Sequence, residues 1–226
     1  MDKAQMVYYI TLCLVLPILL LTLYLEKRAR RITISMICGV FCGLAAFFIN
    51  TPIKYNLHVD EVTLSKYIAP VVEELLKFIP VIVIHYVVKK GRRGSAANAY
   101  SVGVGFCVSE NFLYLFKSLD TANAFWIVSR CVGAGLMHSM TTTIMGIGIY
   151  SARTSENHKV LRVLGSFFAA VAFHMSFNIL VQTKIGAVAL VLPILVFIVL
   201  YVVLKKENLR KFLWDENENG KKAVEE

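Results

Sequence analysis

Seven apolar segments, each long enough to carry an α-helix across a bilayer, alternate with short polar loops along this chain. They run at about 8–25, 32–50, 67–88, 97–117, 125–151, 162–183 and 186–204. Inside lipid the backbone must satisfy its own hydrogen bonds, so segments of this kind fold as helices. Hydrophobic residues make up 57% of the 226, charged residues only 17%, which excludes an ordinary soluble domain. The fold class expected is therefore an all-α, polytopic integral membrane helix bundle. No small-residue cleavage site follows the first segment, so it reads as a retained span rather than a signal peptide.

The basic residues set the orientation. Lys27, Arg28, Arg30 and Arg31 follow the first segment, and Lys89, Lys90, Arg92 and Arg93 follow the third. Arg153, Lys159 and Arg162 follow the fifth, and Lys205, Lys206, Arg210 and Lys211 the seventh. The alternate loops, 51–66, 118–124 and 183–186, carry few. The positive-inside rule then places the N-terminus outside and the C-terminus inside. The net charge of +9 is thereby accounted for by topology and lipid headgroups, with no nucleic-acid partner. Residues 1–204 read as one membrane domain with its motif-bearing core at 67–183. Residues 205–226 read as a polar cytoplasmic tail, expected to be disordered toward its end. The cysteines (Cys13, Cys38, Cys42, Cys107, Cys131) lie in apolar segments without a CxxC and read as small buried hydrophobes. Gly39 and Gly43 form a GxxxG, which predicts close helix packing within the monomer.

Against this apolar background the third segment carries Glu73, Glu74 and Lys77. Charge at membrane depth costs a few kcal/mol per group even on the mildest scale. Lys77 is four residues after Glu73 and three after Glu74, so it can reach either, and one carboxylate is left over. The fourth segment adds Glu110 and Asn111, with Phe106 one turn before Glu110; the fifth adds Arg130, His138 and the run Thr141-Thr142-Thr143. The sixth adds His174 and, on the same face, Asn178.

With the topology above, Glu73 and Glu74 lie about 10 Å from the outer face, Glu110 about 11 Å and His174 about 14 Å, at 1.5 Å per residue. His138 lies about 20 Å in, near the midplane. The polar residues of four successive segments thus share roughly one level, in the outer half. His85, near the inner end of the third segment, reads as an interfacial histidine. Arg130 reads either as a partner for a glutamate or as a snorkelling side chain.

Carboxylates and imidazoles gathered in a low-dielectric cavity are the groups that activate water. Asn178 or an imidazole could steady a developing oxyanion. No serine or cysteine stands in a nucleophile motif, so hydrolysis would use water directly. The same Glu73, Glu110, His138 and His174 could hold a metal, zinc being the candidate, since carboxylate plus imidazole suits it. There is no HExxH, and the Lys77 ammonium competes for the glutamates, so no cofactor follows from the residues alone.

Four stretches carry a family resemblance: EELLK (73–77), GFCVSENFLYL (105–115), GLMHSMTTTIMGIGIY (135–150) and FHMSFN (173–178). In order and spacing they resemble the motifs of the PrsW family of intramembrane proteases, distantly related to the CAAX-processing and bacteriocin-processing membrane proteases. The resemblance covers about residues 67–180. It implies a helical membrane bundle that hydrolyses a peptide bond of a membrane-anchored protein near the extracytoplasmic face. The family's best-known role is the first cut in an anti-sigma factor, and the resemblance therefore implies a bacterial plasma-membrane location. Carried over, Glu73 or Glu74 would activate the water, the more distant relatives favouring Glu73. Lys77 would balance the neighbouring charge. Glu110 stands where the more distant relatives have histidine and joins the catalytic set. His138 and His174 would orient water or steady the oxyanion, Asn178 assisting; Phe106 and Asn111 support. Asn178 departs from the aspartate expected in the nearest members, and EKRARR (26–31) replaces an acidic stretch expected after the first span.

Two other classes compete. A non-catalytic scaffold or substrate-presenting subunit, like the seven-span scaffold of gamma-secretase, would keep histidines without a full glutamate set, whereas this chain has its glutamates. A proton-coupled transporter would also use buried Glu and His, but no inverted repeat is visible.

Overall fold

The computed structural model describes residues 15–88, 91–117 and 123–222, and all regular structure among them is helical. Residues 15–21 are helical; the rest of the first predicted span up to residue 14 lies outside the described residues. The principal helices are α1 (Lys27–Asn56), α2 (Ala69–Val88), α3 (Arg92–Lys117), α4 (Gly135–Thr154), α5 (Lys159–Val181) and α6 (Gly186–Lys222). They coincide with the six remaining apolar segments. By length and composition α1, α5 and the stretch Val188–Lys206 of α6 suffice to cross a membrane. α2 has the length but carries the three charges at 73, 74 and 77. α6 runs on to Lys222, into the tail expected to be disordered at its end. Extending an existing helix needs no new nucleus, which favours that continuation.

Two helices are entered through a wider π-type turn. Glu61–Thr63 and the π segment Leu64–Ile68 lead into α2; Ala124–Ser129 and the π segment Arg130–Ala134 lead into α4. Asp60 starts the first lead-in, its Oδ1 accepting from the Thr63 amide at 2.9 Å. The Thr63 hydrogen bonds hold the Asp60 carboxyl below the usual carboxylate range. π turns of this kind concentrate at functional sites, and both of these border the polar cluster.

α2 is the central post, touching α1, α3, α4 and α5. Its outer stripe is Val71, Leu75, Ile79 and Val83, four apart and exposed, while Glu73, Glu74, Lys77 and Val81 are buried. Apolar outside and charged inside is the inverse of a soluble amphipathic helix, and is what a lipid surround requires. Pro80 removes the amide that would pair with the Leu76 carbonyl one turn back. The Cys42 thiol of α1 donates to that carbonyl at 3.3 Å. An intermolecular disulfide is not needed to explain this cysteine.

The GxxxG packs α1 on α3. A Cβ at Gly39 would collide with the Val102 carbonyl, and one at Gly43 with the Ser109 hydroxyl; in return Gly105 leaves room for the Met36 carbonyl. Gly39→Leu is expected to push α1 off α3 and lower stability by about 1–3 kcal/mol or more. Thermal unfolding in detergent checks this, with Gly165→Leu as the control, since a Cβ there meets open space. An unshifted Tm for Gly39→Leu would refute the packing argument.

Candidate active site

The left-over carboxylate inferred from EELLK has a definite identity in the structure. Glu74 is fully buried and takes Lys77: its Oε1 accepts from Lys77 Nζ at 2.6 Å. The same oxygen lies 2.7 Å from His174 Nδ1. Glu73, one residue earlier and rotated toward the α1–α3 side, is 7% exposed, and its Oε2 has no hydrogen-bond partner. That oxygen lies 3.7 Å from His174 Nε2. So one imidazole stands between the two glutamates, its Nδ1 fixed by Glu74 and its Nε2 turned toward Glu73.

Lys77 also reaches across to α4. Its Nζ is 3.1 Å from His138 Nδ1 and donates to Thr141 Oγ1 at 3.4 Å, with the Phe106 ring centroid 4.6 Å away. An ammonium only donates, so His138 Nδ1 accepts and its proton sits on Nε2. From there it donates to Glu110 Oε2, at 3.0 Å. The His138 and His174 rings meet edge to face with centroids 4.9 Å apart, and Phe106 packs on His138 at 4.7 Å. Lys77, His138, His174, Glu74 and Phe106 are each less than 2% exposed, and Glu73 and Glu110 are the more accessible members of the network.

Glu110 is the hinge between two clefts. One, of about 230 Å³, runs between α1 and α3 and is lined by Glu73, Glu110, Phe106 and Asn50 among others. The other, of about 310 Å³, runs between the α4 lead-in and α5 and is lined by Glu110, His138, Arg130 and Asn178 among others. Glu61, Ser65, Glu110 and Tyr114 border both. The α2 lead-in therefore lies between them as a bar tied on each side. Lys54 of α1 pairs with Glu61; on the α5 side the Asn178 amide donates to the Ser65 carbonyl at 2.8 Å and Gln182 to its hydroxyl at 3.0 Å.

Most of the residues singled out in the sequence converge here: Glu73, Glu74, Lys77, Phe106, Glu110, His138 and His174. Asn111 stands behind, accepting from Arg130 Nε at 3.2 Å and donating to Cys107 Sγ at 3.1 Å. Asn178 borders the second cleft, but its amide is engaged with Ser65. Arg130 does not snorkel: its Nη2 donates to Glu110 at 3.0 Å and its guanidinium lies 3.7 Å over the Tyr114 ring. His85, near the inner end of α2, is buried, its Nδ1 2.8 Å from Ser95 Oγ. Ser65, Tyr114 and Gln182 escaped sequence reasoning. Gln182 carried a signal, because it is four residues after Asn178 and eight after His174 on one helical face.

Ligand atoms of Glu73, His138 and His174 all lie within 4.8 Å of one another, a carboxylate-plus-two-imidazole set. The set fits a metal such as zinc. Glu73 Oε2 is a buried oxygen without a partner, and His174 has the carboxylate behind its other nitrogen that metal-bound histidines use. To complete it His138 would give up its Nε2 proton and with it the hydrogen bond to Glu110.

No curated protein matches this chain, and no solved structure does. One family profile matches residues 27–204, and its description is "PrsW family intramembrane metalloprotease".

Proposed function

The chain belongs to the PrsW family of intramembrane metalloproteases, hydrolases of peptide bonds in membrane-anchored proteins, and from that premise we propose that water is activated at Glu73. The observation that carries this is the unpartnered, buried Glu73 Oε2 facing His174 Nε2 at the floor of a cleft. Glu74 also keeps one unpartnered oxygen, Oε2, but it is fully buried and its Oε1 is committed to Lys77 and His174, which keeps the imidazole aimed. Glu73 takes the proton of the attacking water and passes it toward the leaving amine. Glu110 borders both clefts, while Arg130 and His138 line the second; the guanidinium N–H groups of Arg130 not given to Glu110 and Asn111 are the donors available to the oxyanion. A metal held by Glu73, His174 and His138 would polarise the carbonyl and make bound water acidic, with Glu73 then acting as a ligand in place of the free base.

An extended substrate segment lying across the α2 lead-in would place one side of the scissile bond in each cleft. With the helices taken as seven spans of a multi-pass protein and the basic loops inside, the cleavage lies in the outer half of a bacterial plasma membrane. That depth suits a single-span substrate of the anti-sigma-factor kind. Purified protein in liposomes, given a panel of single-span membrane proteins, is expected to cut a subset of them. The cut is expected to fall near their extracytoplasmic face, to stop with a strong chelator and to return with zinc. Cleavage that survives the chelator would assign activation to the glutamates and histidines alone. Failure to cut any substrate under either condition would defeat the reading.

A further inference from the structure

At the end of the bundle away from the glutamates, an apolar groove of about 510 Å³ opens between α1, α3, α4 and α6. Its walls include Met36, Ala97, Val104, Met140 and Phe197, and among the described residues its one charged lining residue is Arg93. Arg93 is exposed and pairs with no carboxylate among the described residues. Along α3 the groove runs from Arg93 to Val104, about 16 Å at 1.5 Å per residue, which is half of a hydrocarbon core of about 30 Å. The other walls run the same way: Ile32 to Met36 on α1 and Leu204 to Phe197 on α6 go from the basic end toward mid-membrane. The groove is thus one leaflet deep, greasy along its length and cationic at its mouth.

We propose that this groove holds one acyl chain of an anionic phospholipid from the leaflet on the basic side, with its phosphate on Arg93. A soluble ligand would need polar partners along the walls, which are almost wholly apolar. A lipid needs none below the headgroup, and the fork of a guanidinium suits a phosphate. The charge at the mouth selects anionic over zwitterionic headgroups, as basic pockets between membrane helices do. The groove floor is formed by α3 and α4 just short of Phe106 and His138, so the lipid also packs the helices that carry the site.

Native mass spectrometry of the full chain in neutral detergent tests this, with phosphatidylglycerol and phosphatidylcholine of matched acyl chains as probes. One phosphatidylglycerol is expected to be retained, preferred about tenfold, the worth of a charge-assisted hydrogen bond. Arg93→Gln is expected to bring that preference close to parity. Ala97→Trp, which fills the groove, is expected to expel both lipids while unfolding at the wild-type temperature. Should Ala97→Trp not fold, the exposed Arg93→Gln change carries the test alone. Equal retention of the two lipids by the wild type overturns the proposal, as does undiminished preference in Arg93→Gln. A lipid-free dimer in the same spectrum overturns it too, because a second copy would then cover the groove. None of these readouts depends on proteolysis, so the lipid site and the protease reading fail separately.

Discussion

Glu73→Gln is expected to cut peptide hydrolysis by about 10²–10⁴-fold, the range a positioned acid–base group supplies. The protein should remain fully folded. The two halves of that expectation come from one observation: Glu73 is buried, yet its Oε2 has no partner in the fold. A group that holds nothing together can be neutralised without structural loss. Buried unsatisfied polar atoms cost about 1–3 kcal/mol, so removing the carboxylate should leave Tm unchanged or raise it. Cleavage of a membrane-anchored reporter and thermal unfolding of the same preparation measure the two effects together. If activity were retained, water activation would have to move to Glu110, which besides Glu61 is the other carboxylate lining the first cleft among the described residues. A fall in Tm matching the loss of activity would instead make Glu73 structural. His174→Gln provides the companion case. It should lose activity as well, but with a stability cost, because His174 Nδ1 is hydrogen-bonded to the buried Glu74.

The division of labour between the adjacent glutamates was legible in the sequence only as a count. EELLK shows that one lysine cannot neutralise two carboxylates; it does not show which is left. Both lie within reach of Lys77 along a helix. The choice is tertiary. Glu74 points toward the α4–α5 side, where His174 competes for it, and Glu73 points toward a cleft that exists only because α1 and α3 close on glycines. The helices themselves were legible because their apolar lengths fit a bilayer, and the membrane-level agreement of four segments foretold that Glu110, His138 and His174 would meet the pair. Asn178 illustrates the limit. It shares a face with His174, but the wide turn at Leu64–Ile68 carries the Ser65 carbonyl to its amide, and no pattern in the sequence announces a π turn. Arg130 was undecidable for a similar reason. Snorkelling and pairing are equally open to a cation near a span's end, and the Tyr114 ring that settles it is sixteen residues away in sequence.

Lys77→Met is expected to destabilise the protein by about 3–5 kcal/mol, the usual result of stranding a buried charge. The ammonium sits among Glu74, His138 and Thr141 with no exposure, so its loss leaves a carboxylate, an imidazole nitrogen and a hydroxyl without their donor. Glu74→Gln should cost a similar amount from the other side, since Lys77 would then keep its charge in a dry interior. The double variant Glu74→Gln, Lys77→Met has no stranded charge, and should recover a large part of both losses. A double-mutant cycle of unfolding free energies reads that coupling directly. Additive costs would show that the pair is not a closed unit and that solvent or another group screens it. Stability and activity should then part company. Restoring the fold does not restore the carboxylate that fixes His174 Nδ1, nor the donor that sets the His138 tautomer. The stable double variant is therefore expected to remain nearly inactive, whereas a bridge that served only to hold the helices would return activity along with Tm.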